Sequence, residues 1–263
     1  MSRSRVLALA ILVCVLSVSA GEDKKKNELE IQELAKQIDK GSVADRVKAL
    51  QSAADLGRSD AKPLLQNIVS AMTVANKEVK AAATDTLKTL DENLHGIAVK
   101  LLANPNQVDF EDLKKQGADA IIPLAPLLVR HVQGILAVRT PSPDQVTLAA
   151  SSLVLLFEHA PKDALTHKIV LKALKYPQVD IQYRAAMGCS RIPDLQEALP
   201  DVLRIAKTSS HSEVRKEAIR SAAVLADEKN KPVVVKALQE LRFDKNEEIR
   251  KEIEDALSKL KEK

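Results

Sequence analysis

Ser212-Glu-Val-Arg-Lys-Glu-Ala-Ile-Arg-Ser-Ala-Ala-Val-Leu-Ala-Asp227 is the stretch from which the rest of the chain is read. Val214, Ala218, Ala222 and Leu225 recur at offsets 0, +4, +8 and +11, one stripe of a helix with 3.6 residues per turn. Arg215, Lys216, Glu217 and Arg220 fall on the other face and read as solvated charges. Ser212 is placed to cap the first turn, with Glu213 near the positive end of the helix dipole. A seam this narrow and small-sided buries too little surface for the helix to stand alone. It requires neighbours of its own kind.

The chain supplies them. The template returns as Val79/Ala83/Leu87/Leu90, Val146/Ala150/Val154/Phe157, Ile181/Ala185/Cys189/Ile192 and Ile249/Ile253/Leu257/Leu260, with a weaker first copy at Asp45/Ala49/Ala53/Leu56 that stops at Gly57. The anchors at 45, 79, 146, 181, 214 and 249 are separated by 34, 67, 35, 33 and 35 residues, and the double interval leaves room for a degenerate copy around Val108–Gly117. A fixed period of this length marks stacked helical repeats. A second apolar helix follows each anchor helix, often opened by a proline: Pro63, Pro123, Pro200 and Pro232. Proline suits a first turn, where its missing N–H has no partner to lose.

The tetratricopeptide pattern asks for Trp and Tyr in its first helix, and this chain has no Trp; the ankyrin T-P-L-H-x-A string is also absent. The unit instead resembles a HEAT repeat in the short form of the phycobilisome-lyase-like group. The opening pair is carried by Val214-Arg215, Ile249-Arg250 and Val79-Lys80, and the second helix by Asp60-Ala61-Lys62-Pro63-Leu64 and Asp119-Ala120-Ile121-Ile122-Pro123-Leu124. Thr147 and Gln182 stand where a basic residue is usual, and Asp45 occupies an anchor. The resemblance spans about Val43 to Lys263. It implies an all-α, right-handed α-solenoid of six to seven stacked hairpins over residues 43–263, with second helices lining the concave face.

Before that array, Met1–Ala20 places Arg3 and Arg5 ahead of the apolar run Val6–Leu16, then Ser17-Val-Ser-Ala20. Small residues at Val18 and Ala20 predict a signal peptide cut near Ala20-Gly21. The run is short for a bilayer span of about 20 residues, so cleavage is favoured over a retained anchor. Export to the periplasm or beyond is expected. Residues 21–42 read as a charged spacer, Glu22-Asp-Lys-Lys-Lys26, and an N-terminal capping helix over Glu28–Ile38. Loss of Arg3 and Arg5 lowers the formal charge from +4 to +2, a near balance that argues against nucleic acid as a partner. Ala118–Val138 is the most apolar part of the remaining chain, yet Arg130 at its middle argues for a long buried helix over a membrane span.

Catalytic patterns are absent from the sequence. Cys189 is the one cysteine beyond the signal segment and sits at the +8 seam position, a structural thiol. His95, His131, His159, His167 and His211 are scattered without metal-ligand spacing. The chain has 7 glycines, and none forms a phosphate loop or a nucleophile elbow. Neither cofactor nor metal is expected, and the protein is read as a monomer that is not an enzyme. One surface pattern stands out: Lys168, Arg204 and Lys236 hold equivalent places in three successive second helices, with Lys172 and Lys207 nearby and Glu240 interrupting. Such a row can contact an acidic protein segment or an anionic polymer. The seam itself is Val79, Ala83, Val146, Ala150, Ile181, Ala185, Val214, Ala218 and Ile249.

These observations lead to an exported scaffold or adaptor that binds another macromolecule, most simply a protein. Two alternatives follow from the resemblance and from export. One is an enzyme accessory, because the lyase-like relatives act on chromophore attachment; the other is a structural component of a cell-envelope assembly.

Overall fold

A computed structural model of the chain describes residues 27–262, which are helical with short connections. The expected signal segment, its cleavage point and the lysines of the spacer lie outside the described residues. The chain forms two compact units, one up to Gly96 and the other from Ile97.

The first unit contains α1 (27–40), α2 (Val43–Asp55), α3 (Gly57–Ala61), α4 (Leu65–Ala71) and α5 (Lys77–Leu90). The expected capping helix is α1, which buries Leu34 and Ile38. Against α5 pack both α2 and α4. Asp45 is not a seam residue. It is exposed, and its carboxylate closes a capping box with Ser42 at the start of α2, so the seam of this helix begins at Ala49. Gly57 ends α2 as expected, at φ 74°, a left-handed conformation that favours glycine, but the chain re-enters a helix at once. Pro63 opens a single 3-10 turn, Lys62–Leu64.

The second unit holds α7 (Phe110–Gln116), α8 (Ala118–Leu136), α9 (Pro143–His159), α10 (Ala164–Leu174), α11 (Val179–Arg191), α12 (Leu199–Thr208), α13 (Ser212–Leu225), α14 (Lys231–Glu240) and α15 (Glu247–Glu262). The helix α6 (Glu92–Ala103) carries the chain from one unit into the other. The first helices α9, α11, α13 and α15 lie each against the next, whereas α10 and α12 rest on the following first helix and α14 on both α13 and α15. The degenerate copy is the short helix α7, separated from the long α8 at Gly117 with φ 70°. Pro123 does not open a helix. It lies inside α8 with Pro126, in a helix that starts at Ala118 and is long and apolar enough to cross a membrane by composition alone, although 61% of that stretch is buried in the unit. Pro200 and Pro232 do occupy first turns.

The periodic seam is the core. Val146, Ile181, Val214 and Ile249 are at most 3% exposed, as is Val79 in the first unit, and Ala83, Ala150, Ala185 and Ala218 are buried beside them. In α15 the seam turns slightly, so that Ala256 is buried and Leu257 only half so. What lets several first helices approach is a small residue seven past the anchor, at Thr86, Gly188, Ser221 and Ala256, whereas α9 carries Leu153 there. At Gly188 an added Cβ would come 3.0 Å from the ring of Phe157, in the preceding first helix. At the same register Ser221 donates 2.7 Å to the carbonyl of Ala186, and Thr86 in the first unit donates 3.1 Å to that of Leu50. Each hydroxyl is buried and satisfied by the neighbouring repeat, so the close approach leaves no orphaned polar group there.

At four of the six anchors the following residue has a task that the sequence pattern alone did not reveal. Arg46 donates to the carbonyl of Ile38 at 2.7 Å, Gln182 to Leu174 at 3.1 Å, Arg215 to Ala206 at 2.8 Å and Arg250 to Asp244 at 2.7 Å. Three of these acceptors close the preceding helix and one lies in the turn before α15, where backbone carbonyls lack helical partners. A glutamine meets the same requirement as an arginine, which is why the departure at Gln182 is harmless. Nor is the charged face of α13 merely solvated. Arg215 meets Asp244 at 2.5 Å, Lys216 meets Glu248 at 2.9 Å and Arg220 grips Glu252 with two hydrogen bonds, so three cations of one repeat reach carboxylates of the next. Glu217 is buried, accepting from Ser190 of α11 at 3.2 Å and pairing with Arg220 at 3.4 Å. Ser212 is the first residue of α13 and not its cap; His211 takes the cap position without a side-chain hydrogen bond.

Two consequences are measurable. Arg215→Ala removes both the ion pair and the bond to Ala206 from a site only 14% exposed, and should cost about 1–3 kcal/mol in urea unfolding, whereas exposed Lys36→Ala should cost under ~0.5 kcal/mol. The Arg215 guanidinium, helped by the Asn246 backbone N–H, holds the Asp244 carboxyl below its usual value of 3.8. A lowered carboxylate contributes stability that is complete above the ordinary value and lost as pH falls through the lowered one. Melting temperature followed from about pH 5 down to pH 2 should therefore drop less steeply in Asp244→Asn than in the parent below about pH 4.

Candidate functional site

A groove of about 780 Å³ in the second unit is built wholly on the first-helix side. Phe110 and Lys114 of α7 form one wall, Ala150, Val154 and Leu155 of α9 the floor, and Val179 and Tyr183 of α11 the other wall. The first turn of α13 closes one end with Ser212 and Val214. The reason the groove exists is the degenerate copy: α7 is two turns long where a full first helix has three or four, so the stack is incomplete beside α9. The groove therefore lies among first helices.

Two of the chain's five aromatic residues, Phe110 and Tyr183, line this groove, and both are half-buried. Arg184 stacks over Tyr183, 5.4 Å from the ring centre, and donates to the sulfur of Met187 at 3.4 Å. Lys114 is held by Glu158 at 3.0 Å, and Glu213 by Lys216 at 2.6 Å. Glu111, Asp180 and Glu213 each stand in the first turn of a helix, where they offset the dipole. Electrostatically the groove is close to neutral, with an aromatic and aliphatic lining and hydroxyls from Thr147, Ser151 and Ser212. Such a surface can hold an extended or helical peptide by burial and a few hydrogen bonds. Composition alone gave no signal for it, because Phe110 and Tyr183 are 73 positions apart in the sequence.

The five basic residues singled out from the sequence are elsewhere. Lys168 and Lys172 are exposed on α10, Arg204 and Lys207 on α12 and Lys236 on α14, and none of them lines the groove. They share the second-helix layer. Arg204 is engaged with Asp201 at 3.1 Å and reaches the carbonyl of Leu174 at 3.5 Å.

Cys189 is free and buried in α11, where burial first, and then the carboxylates of Asp201 and Glu217, push its thiol up to about 12. That makes it a structural thiol, protonated at neutral pH. Among the described residues no three His, Cys, Asp or Glu side chains come together as a metal-binding group. Burial lowers the pKa of His131, and its Nε2 has no partner among the described residues.

Comparison with known proteins fits this picture of stacked helices. The profile of HEAT repeats matches residues 167–258, which run from α10 to α15. That span consists of HEAT repeats. No curated protein matches the chain. Similar solved structures include an engineered protein, 19% identical over 88% of this chain and 96% of that one, with a TM-score of 0.43. Human deoxyhypusine hydroxylase in complex with glycerol is 14% identical over 92% of this chain and 99% of its own, at a TM-score of 0.42. A HEAT-like repeats protein of the archaeon Thermococcus onnurineus NA1 is 13% identical over 88% and 97%, at 0.40.

The inertness of the thiol can be checked directly. In a Cys14→Ser chain, Cys189 should stay unmodified by a disulfide reagent at neutral pH and react fully in denaturant. Rapid reaction of the folded protein would contradict the burial described for it.

Proposed function

We propose that this protein is a non-catalytic scaffold or adaptor, exported after cleavage near Ala20-Gly21, whose HEAT-repeat unit holds a segment of another protein. The observation that carries the proposal is the first-helix groove, where Phe110 and Tyr183 flank an aliphatic floor on a rigid stack. A chain with so few aromatic residues spends two of them here, half-exposed, although a core position would bury more surface. The supporting shell is firm: the floor residues Ala150 and Leu155 are buried against neighbouring helices, so the groove exists before any partner arrives. Repeats of this kind present continuous surfaces, and a neutral, partly apolar one suits a polypeptide better than a polyanion. Export rests on the leader read from Met1–Ala20, and N-terminal sequencing of the protein from its own cells should begin at Gly21.

The test uses the mature protein as bait in an envelope extract. A specific protein should co-elute with the parent and be lost from the double variant Phe110→Ala/Tyr183→Ala, whose affinity should fall by at least ~30-fold. Both side chains are partly exposed, so the variant should keep its helical content. Undiminished capture by a folded double variant would place the partner on another surface.

A further inference from the structure

The second-helix layer of the same unit has a different chemistry from the groove. Over the whole chain the 40 basic and 36 acidic residues nearly cancel, but α10, α12 and α14 carry Lys168, Lys172, Arg204, Lys207, Lys231 and Lys236 against only Asp201 and Glu240. The neighbouring first helices show how cations are used when they serve the fold. There Arg215, Lys216 and Arg220 are each paired across a repeat boundary. On the second-helix layer Asp201 already binds Arg204 and Lys175, at 3.1 Å and 3.6 Å. Lys168, Lys172, Lys207 and Lys236 remain, all exposed, and none has a carboxylate within salt-bridge distance among the described residues. Like charges gathered without counter-charges on one layer raise the local potential and attract an opposite surface.

From this asymmetry we infer that the second-helix layer docks an acidic polypeptide segment of a partner, with Lys168, Lys172, Lys207 and Lys236 as its contacts. Three features favour a polypeptide over a nucleic acid. The free cations are all lysines, point charges without the planar fork that matches phosphate, while the one arginine of the row is committed to Asp201. None of α10, α12 and α14 contains a Phe, Tyr or Trp on which a base could stack, and the ring of His167 is half-buried and bonded to the Pro161 carbonyl. Half-exposed Leu171, Leu203 and Val235 lie among the lysines and offer aliphatic contact to side chains. Neighbouring helices stack about 10 Å apart, which three residues of extended chain span, so an acidic residue at every third position matches the row. The layer is distinct from the groove, and this inference stands or falls apart from the groove's role. If both hold, the unit joins two partners of unlike chemistry on opposite layers.

The probe is poly-L-glutamate of about 30 residues, titrated against the mature protein by fluorescence anisotropy, with double-stranded DNA of equal charge and poly-L-lysine as comparators. Glutamate polymer should bind, weaken about tenfold or more as salt rises from ~50 to ~200 mM, and outcompete DNA. The quadruple variant Lys168→Glu/Lys172→Glu/Lys207→Glu/Lys236→Glu should lose binding by about tenfold or more, the lysine-to-glutamine version by less, and Phe110→Ala/Tyr183→Ala not at all. All four positions are exposed, and an unchanged circular dichroism melt confirms each variant as folded. No binding of the glutamate polymer, binding indifferent to the lysine changes, or DNA binding as tightly would each overturn the inference. Loss of binding in the groove variant alone would move the acidic segment to the groove.

Discussion

Successive first helices must come close enough to share one seam, and the rest of the HEAT-repeat unit follows from that demand. The seam offers mostly alanine, valine and isoleucine, so each helix gains little from its own burial and depends on contact with its neighbours on both sides. Between α9 and α11 and between α11 and α13 the approach is set seven residues past the anchor, by Gly188 against Phe157 and by Ser221 against the Ala186 carbonyl. A larger side chain at either place would push two helices apart and open the seams above and below it. The alignment of Val146, Ile181, Val214 and Ile249 is a result of that fixed approach.

Much of this was legible in the sequence, because a period near 35 and an apolar stripe are properties of one helix repeated. The stripe residues of α5, α9, α11 and α13 are buried except Val154, which is half-buried, but the stripe left out further buried positions such as Leu153, Leu156 and Ile219. Where it failed, the cause was local competition. Asp45 falls in the register of an anchor, but Ser42 three residues before it offers a capping box, and an aspartate near a helix start is better used there than in a core. Pro123 looked like a helix opener because its neighbours are apolar, yet Gly117 supplies the real boundary with its positive φ. Interactions between repeats were harder to see. Arg215 and Asp244 are 29 residues apart, and reading the charged face of α13 as a single helix hid the complementary face of α15. The groove was hidden for a related reason: it arises from a missing length of helix at α7, and a deficit has no residue pattern of its own.

The two layers of the unit are chemically unlike because they meet different requirements. First helices touch on both sides, so their charges are spent on one another and the concavity they leave is nearly neutral. Second helices rest mainly on first helices, and between α10 and α12 only Asp201 supplies a counter-charge, to Arg204 and Lys175. Lys168, Lys172, Lys207 and Lys236 stay without a carboxylate partner among the described residues. The stacked unit thus separates a nearly neutral, partly aromatic groove from a lysine-rich layer.

The contacts between first helices also differ along the stack. Between α9 and α11 the join is a ring packed onto a glycine, insensitive to dissolved ions; between α13 and α15 it is three bridges of opposite charge laid over the seam. An elastic rod made this way is not uniform. Pulled or bent, it would yield first at its ionic joint in concentrated brine and at no preferred place in dilute buffer, so the ionic strength of the medium would set where the unit flexes.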